Sequence, residues 1–582
     1  MKVIRILLIT LLTLVVIISA GIFVFIKTFD LNKYIPQITE QARKALGRDL
    51  KIGRADITFS LTRGVFLDLR DMAMSDDTRF SLKPFMSVDR VFVGLDVGGL
   101  VLAQKVQLTD VLIQSPRVTV IRSKEGFINV ATVAVPSAGP VVAVPKDSSA
   151  ALAIPALWVN VIRVADARVT YIDQMSSPGL EVTVEKLDID VRNFSLTAPF
   201  DLSVKAAVFS LEQNVNMTAK IRLDLSTSAV RISQLNSSMD LARIDLGLLG
   251  KSMTALEPLG LSRLSGMVSM AVSDLGASAK GAEAFKAQIM LDKGAVAAST
   301  LPLGIENIVF KADVDDKQVD VSSIALGVAG GTINGNALIV DYLHKPVVSL
   351  IFHVEGLDVK ELLGTYKLPL QLKGVFSGAG SIKLSGKSPE EFMASLNGDV
   401  KGELKEGLIE NLNLISLGFD KIPMLPGLMD SIMVDLSTET QDEVRKGITV
   451  FQTCAVQARL VNGVIQLDAA DLTTRDLLAH AKGVVDLKNT LDLKVDIRMA
   501  EALSARLVRS VKELSALKDD KGQIYIPVGV TGDIGKPTVM PDVSYLTQKL
   551  VSSIGGEALQ NVLGTPEAAE AVEAIFGFFK KK

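Results

Sequence analysis

The sequence predicts a mainly β protein that begins with one membrane-length apolar helix. Three observations lead there. Apolar and polar residues alternate along most of the chain. Helical spacing appears only in a few short stretches. At the start, Ile6 to Ile26 runs for 21 residues without a charge. A chain of 582 residues also exceeds the roughly 250–300 at which a single core stops growing, so several domains or a repeating architecture are expected.

The initial run is long enough for a bilayer, which takes about 20 apolar residues as a helix. A signal peptide carries a shorter apolar region, about 7–15 residues, ending at small residues. Here the run passes Ser19-Ala20-Gly21 and continues through Ile22-Phe23-Val24-Phe25-Ile26. The expectation is an uncleaved single-pass anchor, residues 1–27. Lys2 and Arg5 precede the run and Lys27, Lys33, Arg43 and Lys44 follow it, so flanking charge leaves the orientation ambiguous. Long domains cross largely regardless of such charges. A short basic N-terminus inside and the bulk outside the cytoplasm is the usual layout.

Residues 28–130 read as a helix, Leu31–Leu46, stopped at Gly47, and then the first strands. Val65, Leu67 and Leu69 alternate with Phe66, Asp68 and Arg70. Residues 131–153 hold three prolines and no steady period, as a linker or exposed loop does. A middle sheet, 154–260, follows. Leu187, Ile189 and Val191 share one face there, as do Ile221, Leu223 and Leu225. Residues 261–500 contain two weakly repeated blocks, about 261–366 and 367–500, each with an early Gly, an alternating run and then Glu and Phe (Glu283 and Phe285; Glu391 and Phe392). The second block ends in NTLDLKVDIRM, where Leu491, Leu493, Val495 and Ile497 alternate with Asp492, Lys494, Asp496 and Arg498. Residues 501–582 close the chain with helices and the last strands. Helical spacing marks Ala500–Leu517, Leu546–Leu563 and Pro566–Phe579, and a proline-interrupted piece around Asn411–Ile432. Almost everything else reads as strand and turn.

Composition removes several function classes. Net charge is −3, without the clustered Lys and Arg excess of a nucleic-acid footprint. A single Cys454 on an alternating run excludes an internal disulfide and a cysteine-based zinc site. His344, His353 and His480 are far apart and lack ligand-like or triad-like neighbours. The acidic run Asp313-Val314-Asp315-Asp316 sits between alternating segments, as a turn does. GSIKLSGKS, residues 380–388, approaches a phosphate-binding loop but has five residues between Gly380 and Gly386 where that loop has four. Its alternation reads as a strand entering a hairpin turn. No catalytic residue, metal or cofactor is assigned, and an enzyme is not expected.

Three stretches carry a family resemblance. The first is the apolar start followed by DLNKYIPQITEQARKALGRDLKIGRADITFS, with a helix running through Gly47-Arg48 into a strand. The second is residues 448–487, where an alternating strand reaches Asn462-Gly463-Val464 and another reaches Gly483 and Asp486-Leu487. The third is IPVGVTGDIGKPTVMPD, residues 526–542. Together they resemble the AsmA family, which includes TamB- and YhdP-like envelope proteins. The resemblance implies a bacterial inner-membrane anchor, a periplasmic bulk, and an elongated, curved, repetitive antiparallel β-groove with a few short helices near both ends. It also implies a role like that of bridge-like lipid-transfer proteins, moving phospholipid toward the outer membrane.

The apolar face of every strand needs a partner. Each large side chain left in water forgoes roughly 1.5–3 kcal/mol of burial. A second sheet, covering helices or lipid tails in a trough would each supply one; helical text is sparse for the second. About 35–40 strands are expected, at ~4.8 Å spacing. The groove-lining candidates are Val65, Leu67, Leu69, Leu187, Ile189, Val191, Ile221, Leu223, Leu225, Leu491, Leu493, Val495 and Ile497. At the C-terminus Ile575, Phe576, Phe578 and Phe579 precede three lysines, a composition suited to a membrane interface as well as to a helix capping the sheet. The expected function is lipid transfer, with phospholipid, the inner membrane through residues 6–26, and an outer-membrane or other envelope protein as partners. The alternative is a membrane-anchored β-sandwich scaffold for outer-membrane protein assembly.

Overall fold

The computed structural model describes residues 30–60, 64–95, 108–133, 158–176, 179–224, 229–278, 281–282, 285–301, 303–364, 371–419, 422, 427–486, 490–533 and 536–553. The apolar run 6–26, Leu225, most of 131–153, Pro566–Phe579, and Ile575, Phe576, Phe578 and Phe579 lie outside these residues. Among the described residues no helix is long and apolar enough to cross a membrane. The chain divides into two compact units, Met1–Leu301 with Asp313–Asp316, and Pro302–Ala312 with Lys317–Lys582.

The first unit opens with a 3-10 turn, Leu31–Tyr34, leading into helix α1, Ile35–Leu46. Gly47 ends it with φ 67°, the left-handed cap that glycine adopts without Cβ strain. Then come β1 (Leu50–Ser60), β2 (Gly64–Ser75), β3 (Pro84–Leu95), β4 (Leu108–Gln114), β5 (Arg117–Arg122), β6 (Trp158–Asp173), β7 (Leu180–Ser195), β8 (Phe200–Val208), β9 (Val215–Asp224) and β10 (Ala229–Asp240). Helix α2 (Leu246–Ser252) precedes β11 (Leu261–Ser278), β12 (Gly281–Ala282) and β13 (Lys286–Ala298). Neighbouring strands pair antiparallel, with one exception. β4 and β5 both run parallel to β6. Parallel neighbours need a crossover of a dozen residues or more, and residues 123–157, which contain the proline-rich stretch, are that connection. The sheet is therefore continuous across it.

Bulges let these strands run long. Lys186 takes φ 47° in β7, and the register with β8 shifts between Glu185 and Asp188. One extra residue reverses the alternation, so Val184 and Ile189 face the same side, opposite Val208 and Val204 of an unbroken β8. Asp166, Gln234 and Lys293 sit at comparable bulges. Strands reach 18 residues in β11. Twenty-five strands among the described residues thus replace the larger number expected.

The second unit contains most of β14 (Ile305–Asp315), then β15 (Gln318–Val328), β16 (Gly331–Val340), β17 (Val347–Asp358), helix α3 (Val359–Leu363), β18 (Gln371–Ser385), α4 (Pro389–Ala394) and β19 (Asn397–Glu410). Three helices follow: α5 (Leu414–Phe419), α6 (Leu428–Met433) and α7 (Thr438–Lys446). β20 (Thr449–Val461), β21 (Val464–Thr473), β22 (Leu477–Asp486), β23 (Thr490–Met499), α8 (Glu501–Ser510), β24 (Tyr525–Asp533), β25 (Lys536–Pro541) and α9 (Val543–Ser553) complete it. Strands β15 to β25 pair in chain order, all antiparallel.

Helices are therefore not confined to the two ends, as expected from sequence. Side chains of Asp245, Asp358, Ser388 and Ser437 cap α2, α3, α4 and α7 by accepting from free first-turn N–H groups. The turn expected after GSIKLSG is also different: Gly380 to Ser385 end β18, and the capped α4 replaces a simple hairpin turn. Glu391 fills the place beside Gly386, accepting from Lys387 N–H at 3.0 Å. The large core lies in the second unit. Leu414, Phe419, Ile432, Leu503, Leu507, Leu514 and Leu546 pack there against Leu404, Phe451, Leu472, Ile497 and Ile526 of the sheet.

Candidate functional site

Directly paired residues of neighbouring strands point to the same face, so register turns separate alternations into continuous rows. In the first unit one row runs Ala55, Leu69, Val91, Ile113, Val164, Ile189, Val204, Met217, Ser237, Met270, Ile289. Ser237 is its one polar member. A parallel row runs Ile57, Leu67, Val93, Val111, Ile162, Val191, Leu202, Ala219. Leu187 pairs with Ala167, and Val65 with Leu95. Ile221 lies between Phe200 and Ile232, and Leu223 opposite Val230. The sequence candidates of this unit thus fall on one apolar surface, except Leu225, which is outside the described residues.

That surface is not a closed core. Apart from Ala55, at 1% exposure, every member of the first row is only half-buried. Neighbours across the ladder shield each side chain, helix α1 lies over Ala55 and Leu69 at the start of the row, and the remaining members keep part of their surface exposed. Soluble proteins rarely leave contiguous apolar surface of such extent without a partner.

From β6 to β10 the other face is polar, whereas toward β2 and β3 it carries Leu112 and the stacked rings of Phe66 and Phe92. Arg163, Asp190, Ser203, Thr218 and Asn236 form its matching row. Asp190 accepts from Arg163 at 3.0 Å and Arg192 at 2.8 Å. Arg192 first, and then Arg163, hold the Asp190 carboxyl below its ordinary value, against the opposing effect of burial. A hollow of about 830 Å³ on this side is lined by Arg163, Asp190, Arg192, Asp201, Lys205 and Lys220 among others. Its charges are of both signs, with Asp190 paired to Arg163 and Arg192 and Asp201 paired to Lys220, which gives no strong field for a single ionic ligand.

In the second unit the apolar face changes character along the strands. One row runs Ile324, Gly335, Phe352, Gly380, Val400, Ala458, Leu467, Gly483, Leu493, Val530, Val539, all half-buried. Another runs Leu357, Phe376, Leu404, Cys454, Leu472, Ala479, Ile497, Ile526. The helices α5, α6, α8 and α9 cover this second row, and Ile497 and Ile526 are fully buried. Leu491, Leu493 and Val495 are therefore half-open, whereas Ile497 belongs to the ordinary core. The Phe352 ring lies over Gly380 and the Phe376 ring over Gly402, where any added Cβ would collide with it. Two aromatic rings thus lie flat along this face instead of standing off it.

One polar cluster escaped sequence reasoning as a site. Arg48 is 4% exposed and donates to Asp76 Oδ1 at 2.8 Å and to the Asn129 carbonyl at 3.2 Å. Asn129 donates to Asp76 Oδ2 at 2.8 Å and accepts from Ile121 N–H at 3.0 Å. The signal was present in Gly47-Arg48: a charge placed directly after a left-handed helix stop is carried inward by the turn. The network fixes the end of α1 to the sheet.

The remaining chemistry-bearing groups stay apart. His480 contacts Asp471 at 2.7 Å and His344 contacts Asp341 at 2.8 Å, both near the surface. Among the described residues no three His, Cys, Asp or Glu side chains gather as a metal site. Burial, with Asp471 adding, pushes the Cys454 thiol up to about 11.

No curated protein and no solved structure matches the chain. Family comparison does give a match, over residues 1–262 and 268–470, so the 526–542 stretch falls beyond it. With its N-terminal helix, Arg48 turn and successive antiparallel strands inside those bounds, the chain belongs to the AsmA family.

Proposed function

We propose that this protein is anchored in the bacterial inner membrane through Ile6–Ile26 and moves phospholipid between envelope membranes along the apolar faces of its sheets, supporting outer-membrane biogenesis. The observation that carries this reading is the apolar row from Ala55 to Ile289, which crosses eleven strands and stays half-open. Hydrocarbon is the partner that such a surface favours, since burial contributes ~25 cal/mol per Å². AsmA family membership fits an envelope lipid-transport role.

The mechanism is passive. Acyl chains lie against Leu67, Leu69, Ile189, Val191, Leu491 and Leu493, with headgroups near the rim of a curved groove. A bulged strand bends locally, which supports the reading of a curved groove. Direction comes from a concentration gradient or from a partner in the periplasm or outer membrane. The scaffold alternative draws on the helix-covered row at Ile497, where the same face ends in a core.

The test is lipid content. The full chain is purified from membranes in mild detergent and bound phospholipid is quantified by mass spectrometry. Lipid should co-purify with wild type and fall at least fivefold in a folded variant carrying Leu69→Asp, Ile189→Asp and Val204→Asp. Wild type free of phospholipid would favour the scaffold.

A further inference from the structure

Helix α1 crosses the first two strands as a strap held at its ends. Near its start the Asn32 side chain accepts from Ala55 N–H at 2.9 Å. Just past its end Arg48 is locked to Asp76 at 2.8 Å. Between these fixed points no residue of α1 is buried, and Ile38 is 41% exposed. A helix packed on a sheet normally buries an apolar stripe. Here a cavity of about 320 Å³ remains beneath it, lined entirely by apolar side chains, including Ile35, Ile38, Ile57, Leu67 and Leu69.

Two further observations bear on what the cavity suits. Its floor is the beginning of the open surface: Ala55 and Leu69 start one apolar row, Ile57 and Leu67 the other. The 3-10 turn that leads into the strap also begins five residues after the 21-residue apolar run ends at Ile26. A cavity without a polar group cannot hold ordered water, which needs two to four polar partners. At about 30 Å³ per water-sized group it takes roughly ten methylenes, a large part of one acyl chain.

We propose that this cavity is the uptake site, where one acyl chain of a diacyl phospholipid leaves the bilayer beside the anchor and slides under α1 onto the first strands. The proposal rests on the lipid-transfer reading above. Among the described residues β2 is the strand that pairs with β1, and the outer edge of β1 is met at Ala55 by the Asn32 side chain, so a chain can enter beside that contact, without threading past an end. The two polar fixings hold the strap while its middle rides on hydrocarbon.

The test uses the full chain in its native membranes, with a benzophenone amino acid at Ile38 or at Ile189. Wild type should give phospholipid adducts at both positions. Filling the cavity with Ala55→Phe, or from the helix side with Ile35→Trp, should lower the Ile189 adduct at least fivefold. A protease-resistance check shows which of the two variants is folded, and Ile35→Trp decides if Ala55→Phe is not. An unchanged Ile189 adduct in a folded variant overturns the uptake site and leaves lipid transfer standing. An Ile38 probe that links only to this chain also overturns it. Absence of adduct at Ile189 in wild type overturns the lipid reading itself.

Discussion

Leu491 and Ile497 point to the same face of β23, six residues and about 20 Å apart, yet one is half-open and the other fully buried. The difference is the helical cover, which packs over Ile497 and Met499 and does not bury Leu491 or Leu493. Stability and function should therefore separate along a single strand. Ile497→Asp places an unpaired carboxylate in the core and should unfold the second unit. Leu493→Asp should cost less than about 1.5 kcal/mol and yet reduce bound phospholipid. Denaturant unfolding, with lipid quantified beside it, checks both.

The Arg48–Asp76 pair makes a second prediction. Its side chains are 4% and 1% exposed, so removing one partner strands the other. Arg48→Ala should destabilise the first unit by about 3–5 kcal/mol. Adding Asp76→Asn should recover part of that loss. Two units rule out treating the whole chain as two-state, so the transition must be followed by protease resistance of the first unit.

Asp68 gives a pH dependence. It is buried, and Arg90 at 2.7 Å, with Arg70 at 2.8 Å, holds its carboxyl below its ordinary value against the effect of burial. A folded value below the unfolded one stabilises above the unfolded value of 3.8 and is lost as pH falls through the folded value. Asp68→Asn should therefore lower stability by about 1–3 kcal/mol at pH 7. The gap to wild type should close in acid, below the ordinary carboxylate range. Acid unfolding curves of both proteins test this.

Cys454 should be inert while the protein is folded. With its thiol raised to about 11, the thiolate fraction near pH 7.5 is below about one in a thousand. Maleimide labelling should run roughly 100-fold or more slower than for a free thiol, and reach the ordinary rate in denaturant.

Gly407 carries the Phe451 ring. A Cβ at that position would collide with the ring, and Phe451 is 2% exposed. Gly407→Ala should cost about 1–3 kcal/mol by overpacking. Gly407→Ala with Phe451→Leu should recover part of it, read by denaturant midpoint.

Much of the fold was legible because strand alternation reports a face directly. Val65, Leu67, Leu69, Ile189, Val191, Ile221 and Leu223 all lie on the apolar surface that their spacing implied. What alternation leaves out is cover. Leu491 and Ile497 have identical patterns, and only the packing of distant helices separates them. Phase changes were also hidden, since Lys186 adopts its left-handed bulge without a glycine to mark it. The parallel pairing of β4 and β5 with β6 depends on a long crossover whose length says nothing about its destination. The short helix at Pro389 did leave a sign: Ser388 and Glu391 stand at capping-box spacing, and Ser388 Oγ accepts from Glu391 N–H at 3.3 Å.

The most direct measurement is site-specific photo-crosslinking in cells, one position at a time along β23. The account predicts phospholipid adducts at Leu491 and Leu493, none at Asp492 and Lys494 on the polar face, and only protein cross-links at Ile497 beneath the helices. If Leu491 and Leu493 capture nothing but other parts of this chain, the open face is filled by protein, and lipid transfer along it is wrong.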